Sequence, residues 1–133
     1  VEEGYKLSAY DLAAASDVRN AWYRVVRQLF KRYDYLTLPS ASVFPFPVET
    51  PWPREIAGKK MDTYHRWMEV VIPITMCGCP SLGTPVGFNA AGLPMGMQIV
   101  GPIRAEHAVM QLAKAYEEAT GWTKKVLPPI LSA

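Results

Sequence analysis

A chain of 133 residues, half of them apolar and a fifth charged, has the balance of one globular domain around a single core, which excludes a disordered segment. Fourteen basic and twelve acidic residues are scattered to a formal net charge of +2, with no basic run and no interleaved aromatic and basic pattern, so nucleic acid is not an expected partner. The longest apolar stretch, Val70 to Cys79, is about half the ~20 residues a membrane span needs and is interrupted by Pro73, so no membrane partner is expected either.

Ser8 followed by Asp11 has the spacing of a capping box, and Ala15, Val18, Trp22, Val25, Leu29 and Tyr33 recur every three or four residues. Together they predict an amphipathic helix over 9–32. Arg24, Arg27, Lys31 and Arg32 crowd its last turns, where cations complement the helix dipole; a solvated helix end is preferred over an anion site. Tyr35-Leu36-Thr37-Leu38, bounded by Asp34 and Pro39, reads as a buried strand. Five prolines between Pro39 and Lys60 alternate with Phe44, Phe46 and Trp52, so residues 39–60 are expected to form a loop without regular structure. Loops of that length are lids, binding loops or disordered segments, and the aromatics favour the ordered options.

Asp62 is placed to cap a second helix through Tyr64, Trp67, Met68, Val71 and Ile72, ended or kinked by Pro73. Ser81 to Phe88 reads as a strand, Asn89-Ala90-Ala91-Gly92 as a hairpin loop and Pro94 to Val100 as the return strand. Ala105, Ala108, Val109, Leu112, Tyr116 and Ala119 mark a last helix stopped by Gly121, and residues 122–133, with Pro128-Pro129, are expected to be extended. The fold class is therefore α/β, with about three strands covered by helices in a single segment over residues 1–133. Strands this apolar on both faces normally lie inside a larger sheet.

Cys77 and Cys79, one residue apart, make a poor structural disulfide and too few ligands for zinc. Reduced thiols in a cytoplasmic protein are expected, with no metal and no cofactor. The start, Val1-Glu2-Glu3-Gly4, has neither the basic nor the apolar region of a signal peptide.

The stretch from Gly78-Cys79-Pro80-Ser81-Leu82-Gly83-Thr84-Pro85-Val86-Gly87-Phe88 through Gly92-Leu93-Pro94-Met95-Gly96-Met97-Gln98-Ile99-Val100-Gly101-Pro102 resembles the C-terminal hallmark of the amidase-signature family, in spacing as well as composition. Tyr33-Asp34-Tyr35-Leu36 leading to Pro39, behind an arginine-rich helix, is similar to the family's preceding helix-strand unit. The resemblance implies a C-terminal fragment of a larger mixed-sheet fold, and a parent enzyme that hydrolyses a small carboxamide through a serine nucleophile, a second serine in a cis peptide and a lysine. Those residues lie in the family's earlier, glycine-serine-rich part. The serines at 8, 16, 40, 42, 81 and 132 have no such context, so no catalytic residue is carried over and the segment alone is expected to be inactive. The sequence departs from the family where Thr75-Met76-Cys77-Gly78-Cys79-Pro80 stands for Asn-x-Thr-Gly-x-Pro.

Tyr64, Trp67 and Met68, with the loop aromatics, could wall a substrate pocket, and Cys77 and Gln98 are further pocket candidates. Each has a plainer role: core packing for the aromatics and for Cys77, a structural hydrogen bond for Gln98. The implied partners are the missing N-terminal portion and a small amide substrate. Self-association through a strand edge or the second helix is also expected. Two rival readings stand beside the amidase: a stand-alone assembly module without chemistry, and part of an amidotransferase A-type subunit.

Overall fold

A computed structural model describes residues 2, 4–127 and 131. The capping box forms as its spacing predicts: Ser8 Oγ accepts from the Asp11 amide at 3.2 Å and the Asp11 carboxylate accepts from the Ser8 amide at 2.8 Å, which opens helix α1 (Ala9–Leu29). Beyond Leu29 the chain continues in turns, with the Arg32 and Tyr33 amides both donating to the Leu29 carbonyl, so the helix is shorter than 9–32. Its inward face is carried by Trp22, Tyr23, Val26, Leu29 and Phe30, whereas Val18 is 71% and Val25 51% exposed. The apolar periodicity that predicts the helix therefore does not define its buried face.

Strand β1 (Leu36–Pro39) is followed by a long proline-rich segment that is not devoid of regular structure. It contains a hairpin of β2 (Glu55–Ile56) and β3 (Lys59–Lys60). Ala57 and Gly58 at its tip have φ of 49° and 78°, the paired left-handed residues that a two-residue turn needs. The expected second helix is two: α2 (Tyr64–Trp67) and α3 (Ile72–Cys77). Pro73 does not end the first but sits in the opening turn of the second, where a missing amide proton costs nothing. Asp62 does not cap α2; Thr63 holds the cap position, and the Asp62 carboxylate pairs with Arg66 at 2.6 Å.

β4 (Ser81–Phe88) and β5 (Pro94–Val100) form the predicted hairpin, its loop held by the Asn89 side-chain oxygen accepting from the Ala91 and Leu93 amides at 2.9 Å each. The sheet is antiparallel in the order β1-β5-β4, with Leu36 and Ser81 both opposite Val100 and an irregularity between Pro85 and Gly87. Helix α4 (Glu106–Thr120) covers one face, packing Val109 and Ala113 on Ile99, with Leu82 and Met97 beside them. Tyr35 and Tyr116 fasten it, donating to the Ala108 and Pro85 carbonyls at 3.2 Å. The tail is not extended throughout: after Gly121, Trp122–Lys125 makes one helical turn, α5, and Val126 returns to extended backbone. Residues 128–130 and 132–133 of the expected tail lie outside the described residues.

Side chains alternate across β5, so Gln98 points away from the face on which Ile99 meets α4. There its Nε2 donates to the carbonyls of Pro39 at 2.9 Å and Val70 at 3.1 Å, tying the sheet to the α2-α3 junction.

Candidate functional site

The same face of the sheet carries a cleft of about 340 Å³, lined by Ser40, Phe44, Phe46, Trp67, Met95, Gly96 and five further apolar residues. Two local features build it. In α2, Tyr64 and Trp67 are three residues apart and so lie on one side of the helix. Gly96 admits the start of the proline-rich segment, because an added Cβ would come within 3.3 Å of Ser40 Cβ and closer still to its hydroxyl. The Ser40 amide closes that contact by donating to the Gly96 carbonyl at 2.9 Å.

The aromatic side chains meet edge to face, the geometry their quadrupoles favour. Phe46 and Trp67 lie 5.6 Å apart, Trp67 and Tyr64 6.0 Å, and Tyr64 and Trp52 6.0 Å, with the Arg54 guanidinium 3.7 Å above the Trp52 ring. The proline-rich loop and α2 thus form one ordered aromatic array. Trp67 Nε1 is buried and has no hydrogen-bond partner among the described residues. No residue that lines the cleft titrates near neutral pH. Such a surface can bind and orient a flat or branched apolar group, and it supplies no proton-transfer group of its own.

Of the residues singled out from sequence, Trp67 lines the cleft and Tyr64 supports it. Met68 is half-buried at the end of α2, and Met68, Cys77 and Gln98 do not line the cleft. Cys77 is 3% exposed and its thiol donates to the Ile74 carbonyl at 3.0 Å. Cys79 lines a different cleft beside Tyr23 and Arg27, and its pKa is pushed up to about 12 by burial and then by the Cys77 thiol. Neither sulfur has the exposed, cation-stabilised setting of a nucleophile. His65 and His107 are both exposed. Among the described residues no group of three or more His, Cys, Asp or Glu could hold a metal ion, and no helix is long and apolar enough to cross a membrane. Sequence reasoning missed Ser40 and Met95; the one signal for them was Gly96, a residue without a side chain inside an apolar strand.

A family model described as amidase matches residues 1–110. Among curated proteins, the A-type subunit of glutamyl-tRNA(Gln) amidotransferase from Picosynechococcus sp. is 34% identical over 128 residues, covering 91% of this chain and 24% of that protein. A fatty acid amide hydrolase of Medicago truncatula is 29% identical over 118 residues, covering 89% of this chain and 19% of that one. Among solved structures, a bacterial aryl acylamidase of the amidase-signature enzymes superimposes with a TM-score of 0.83 at 26% identity, over 92% of this chain and 26% of that one. The chain spans about a quarter of the length of the curated relatives it matches.

Proposed function

The chain belongs to the amidase family, and from that membership we propose that it is the C-terminal portion of an enzyme hydrolysing a carboxamide, and that its cleft receives the apolar or aryl group of the substrate. A serine nucleophile supplied from outside these 133 residues attacks the amide carbonyl. The charge that develops on the carbonyl oxygen is met by donors that also lie outside, because amide hydrolysis needs nucleophile, proton transfer and oxyanion stabilisation together. This segment contributes scaffold and one apolar wall, and alone it turns over no amide.

The observation that carries this reading is the ordered aromatic cleft around Trp67, on the sheet face opposite α4. An apolar group buried there loses contact with water. The likeness to an amidotransferase component supports a second reading, transfer in place of hydrolysis. The dispersed charge gives no support for an RNA contact within this segment.

The test is a chimera in which this chain replaces the matching quarter of the bacterial aryl acylamidase. The chimera is expected to hydrolyse a chromogenic anilide, and Trp67→Ala is expected to raise KM about tenfold with less effect on kcat, the pattern of lost uniform binding. The isolated chain should give no turnover above background. A folded chimera without anilide hydrolysis, or a Trp67→Ala variant with unchanged KM, would refute the assignment of the cleft.

A further inference from the structure

Trp22 Nε1 donates to the Pro73 carbonyl at 2.7 Å and Trp52 Nε1 to the Met61 carbonyl at 3.5 Å, so a polar contact anchors each of these indoles. Trp67, which lines the cleft, has no such anchor among the described residues. Its backbone does not fix the ring either. Helix α2 is four residues long, too short to hold itself together, and Thr63 makes no side-chain cap bond to it. The angle of the Trp67 ring is therefore set by the two rings that meet it edge to face, Phe46 at 5.6 Å and 84° and Tyr64 at 6.0 Å and 82°.

Phe46 lines the cleft and Tyr64 does not, so Tyr64 braces Trp67 from outside the space a substrate would fill. Tyr64 is itself held by Trp52 at 6.0 Å and 89°. Trp52 carries the Arg54 guanidinium over its ring and reaches Met61, which is 5% exposed and whose amide donates to the Arg54 carbonyl at 2.8 Å. The β2-β3 hairpin is thus closed at its base by Arg54 and Met61 and seated on a buried side chain. Its other tie, from Lys59 to Glu69 at 3.3 Å, joins side chains 60% and 50% exposed and contributes little. The ring series Trp52, Tyr64, Trp67 is what carries the position of the hairpin into the cleft.

We propose that Tyr64 is a positioning residue for the apolar group of the substrate, acting through Trp67 without touching the substrate itself. This rests on the assignment of the cleft made above. Removing the Tyr64 ring lets Trp67 turn into the space vacated, which widens the cleft. A one-ring amide then loses contact with Trp67, and a wider two-ring amide gains room, so specificity changes direction. The test compares an acetanilide with the corresponding naphthyl amide in the aryl acylamidase chimera. Tyr64→Leu is expected to raise KM for the anilide about fivefold, lower it for the naphthyl amide, and move the ratio of the two kcat/KM values at least about tenfold. Tyr64→Phe keeps the ring and should leave that ratio within about twofold of the parent, whereas Trp52→Leu, one ring further out, should move it about threefold in the same direction. Loss of packing alone would raise both KM values together and leave the ratio in place, which would overturn the proposal. A Tyr64→Phe variant that shifts the ratio as far as Tyr64→Leu would overturn it as well. Where Tyr64→Leu does not fold, as judged by circular dichroism, Trp52→Leu decides by the same ratio. Trp67→Ala with unchanged KM removes the cleft assignment and this proposal with it, whereas an effective Trp67→Ala beside a neutral Tyr64→Leu removes the positioning role alone.

Discussion

Replacing Gln98 asks whether its side chain is a structural tie or a free substrate contact. It is 5% exposed, and its amide donates to two carbonyls, Pro39 on the neighbouring strand and Val70 at the α2-α3 junction. Gln98→Met keeps the volume and removes both donors. Each acceptor left unsatisfied costs about 1–3 kcal/mol, so a total of about 2–6 kcal/mol is expected. At about 2.1 cal/mol/K per residue, the unfolding entropy of 133 residues converts this to a Tm lower by roughly 7–21 °C. Gln98→Glu sharpens the test. A neutral carboxylic acid retains one O–H to donate, whereas a carboxylate presents only acceptors to two carbonyls, so the folded state raises the pKa of this glutamate above its unfolded value. Its stability is then greatest below the unfolded pKa and is lost as pH rises through the folded one. Urea titrations at pH 5 and pH 8 should show the gap between Gln98→Glu and the parent chain widening at the higher pH. A Gln98→Met variant melting within about 2 °C of the parent, or a Gln98→Glu gap that does not change with pH, would refute the two-carbonyl tie.

Gly101→Ala would place a Cβ 2.6 Å from Cγ2 of the buried Val109, so thermal melts should show a loss of about 1–3 kcal/mol, partly recovered when Val109→Ala is added. Ala57→Gly relieves a left-handed alanine at φ 49° in the β2-β3 turn and should raise the urea midpoint by the equivalent of about 0.5–1 kcal/mol without changing the slope. The pKa values of Asp11, hydrogen-bonded to Ser8, and Asp62, hydrogen-bonded to Arg66, are held below their ordinary 3.8; the stability they contribute is complete above that value and is lost as pH falls through the depressed ones. Helicity followed by circular dichroism should therefore fall below about pH 4, and Asp11→Asn should remove part of that acid dependence. With the Cys79 pKa at about 12 and Cys77 buried, both thiols should react with an aromatic disulfide reagent at pH 8 at least about 100-fold more slowly than in the urea-unfolded chain; fast stoichiometric labelling would contradict this.

The features legible from residue order alone are local ones. The Ser8-Asp11 cap, the β4-loop-β5 hairpin around Asn89-Gly92 and the last helix up to Gly121 could be read because hydrogen bonds between residues a few positions apart fix them. The motif around Gly78 to Pro102 likewise carried the family, since the spacing of glycines and prolines records where strands turn and approach one another. The β2-β3 hairpin escaped, because Ala57-Gly58 is a weak turn signal among five prolines. Pro73 was ambiguous for a related reason: a proline forbids a helix interior and permits a first turn, and only the preceding backbone decides which it meets. Trp67 and the loop aromatics Phe44 and Phe46 could be grouped from sequence as a pocket wall, but the contacts that close the cleft could not. Ser40 reaches Gly96, Phe46 reaches Trp67 and Gln98 reaches the Val70 carbonyl across separations of 21 to 56 residues, and no local pattern encodes which segments meet. The exposure of Val18 and Val25 is of the same kind: periodicity states that a helix has an apolar face, and only packing states whether anything in the chain covers it.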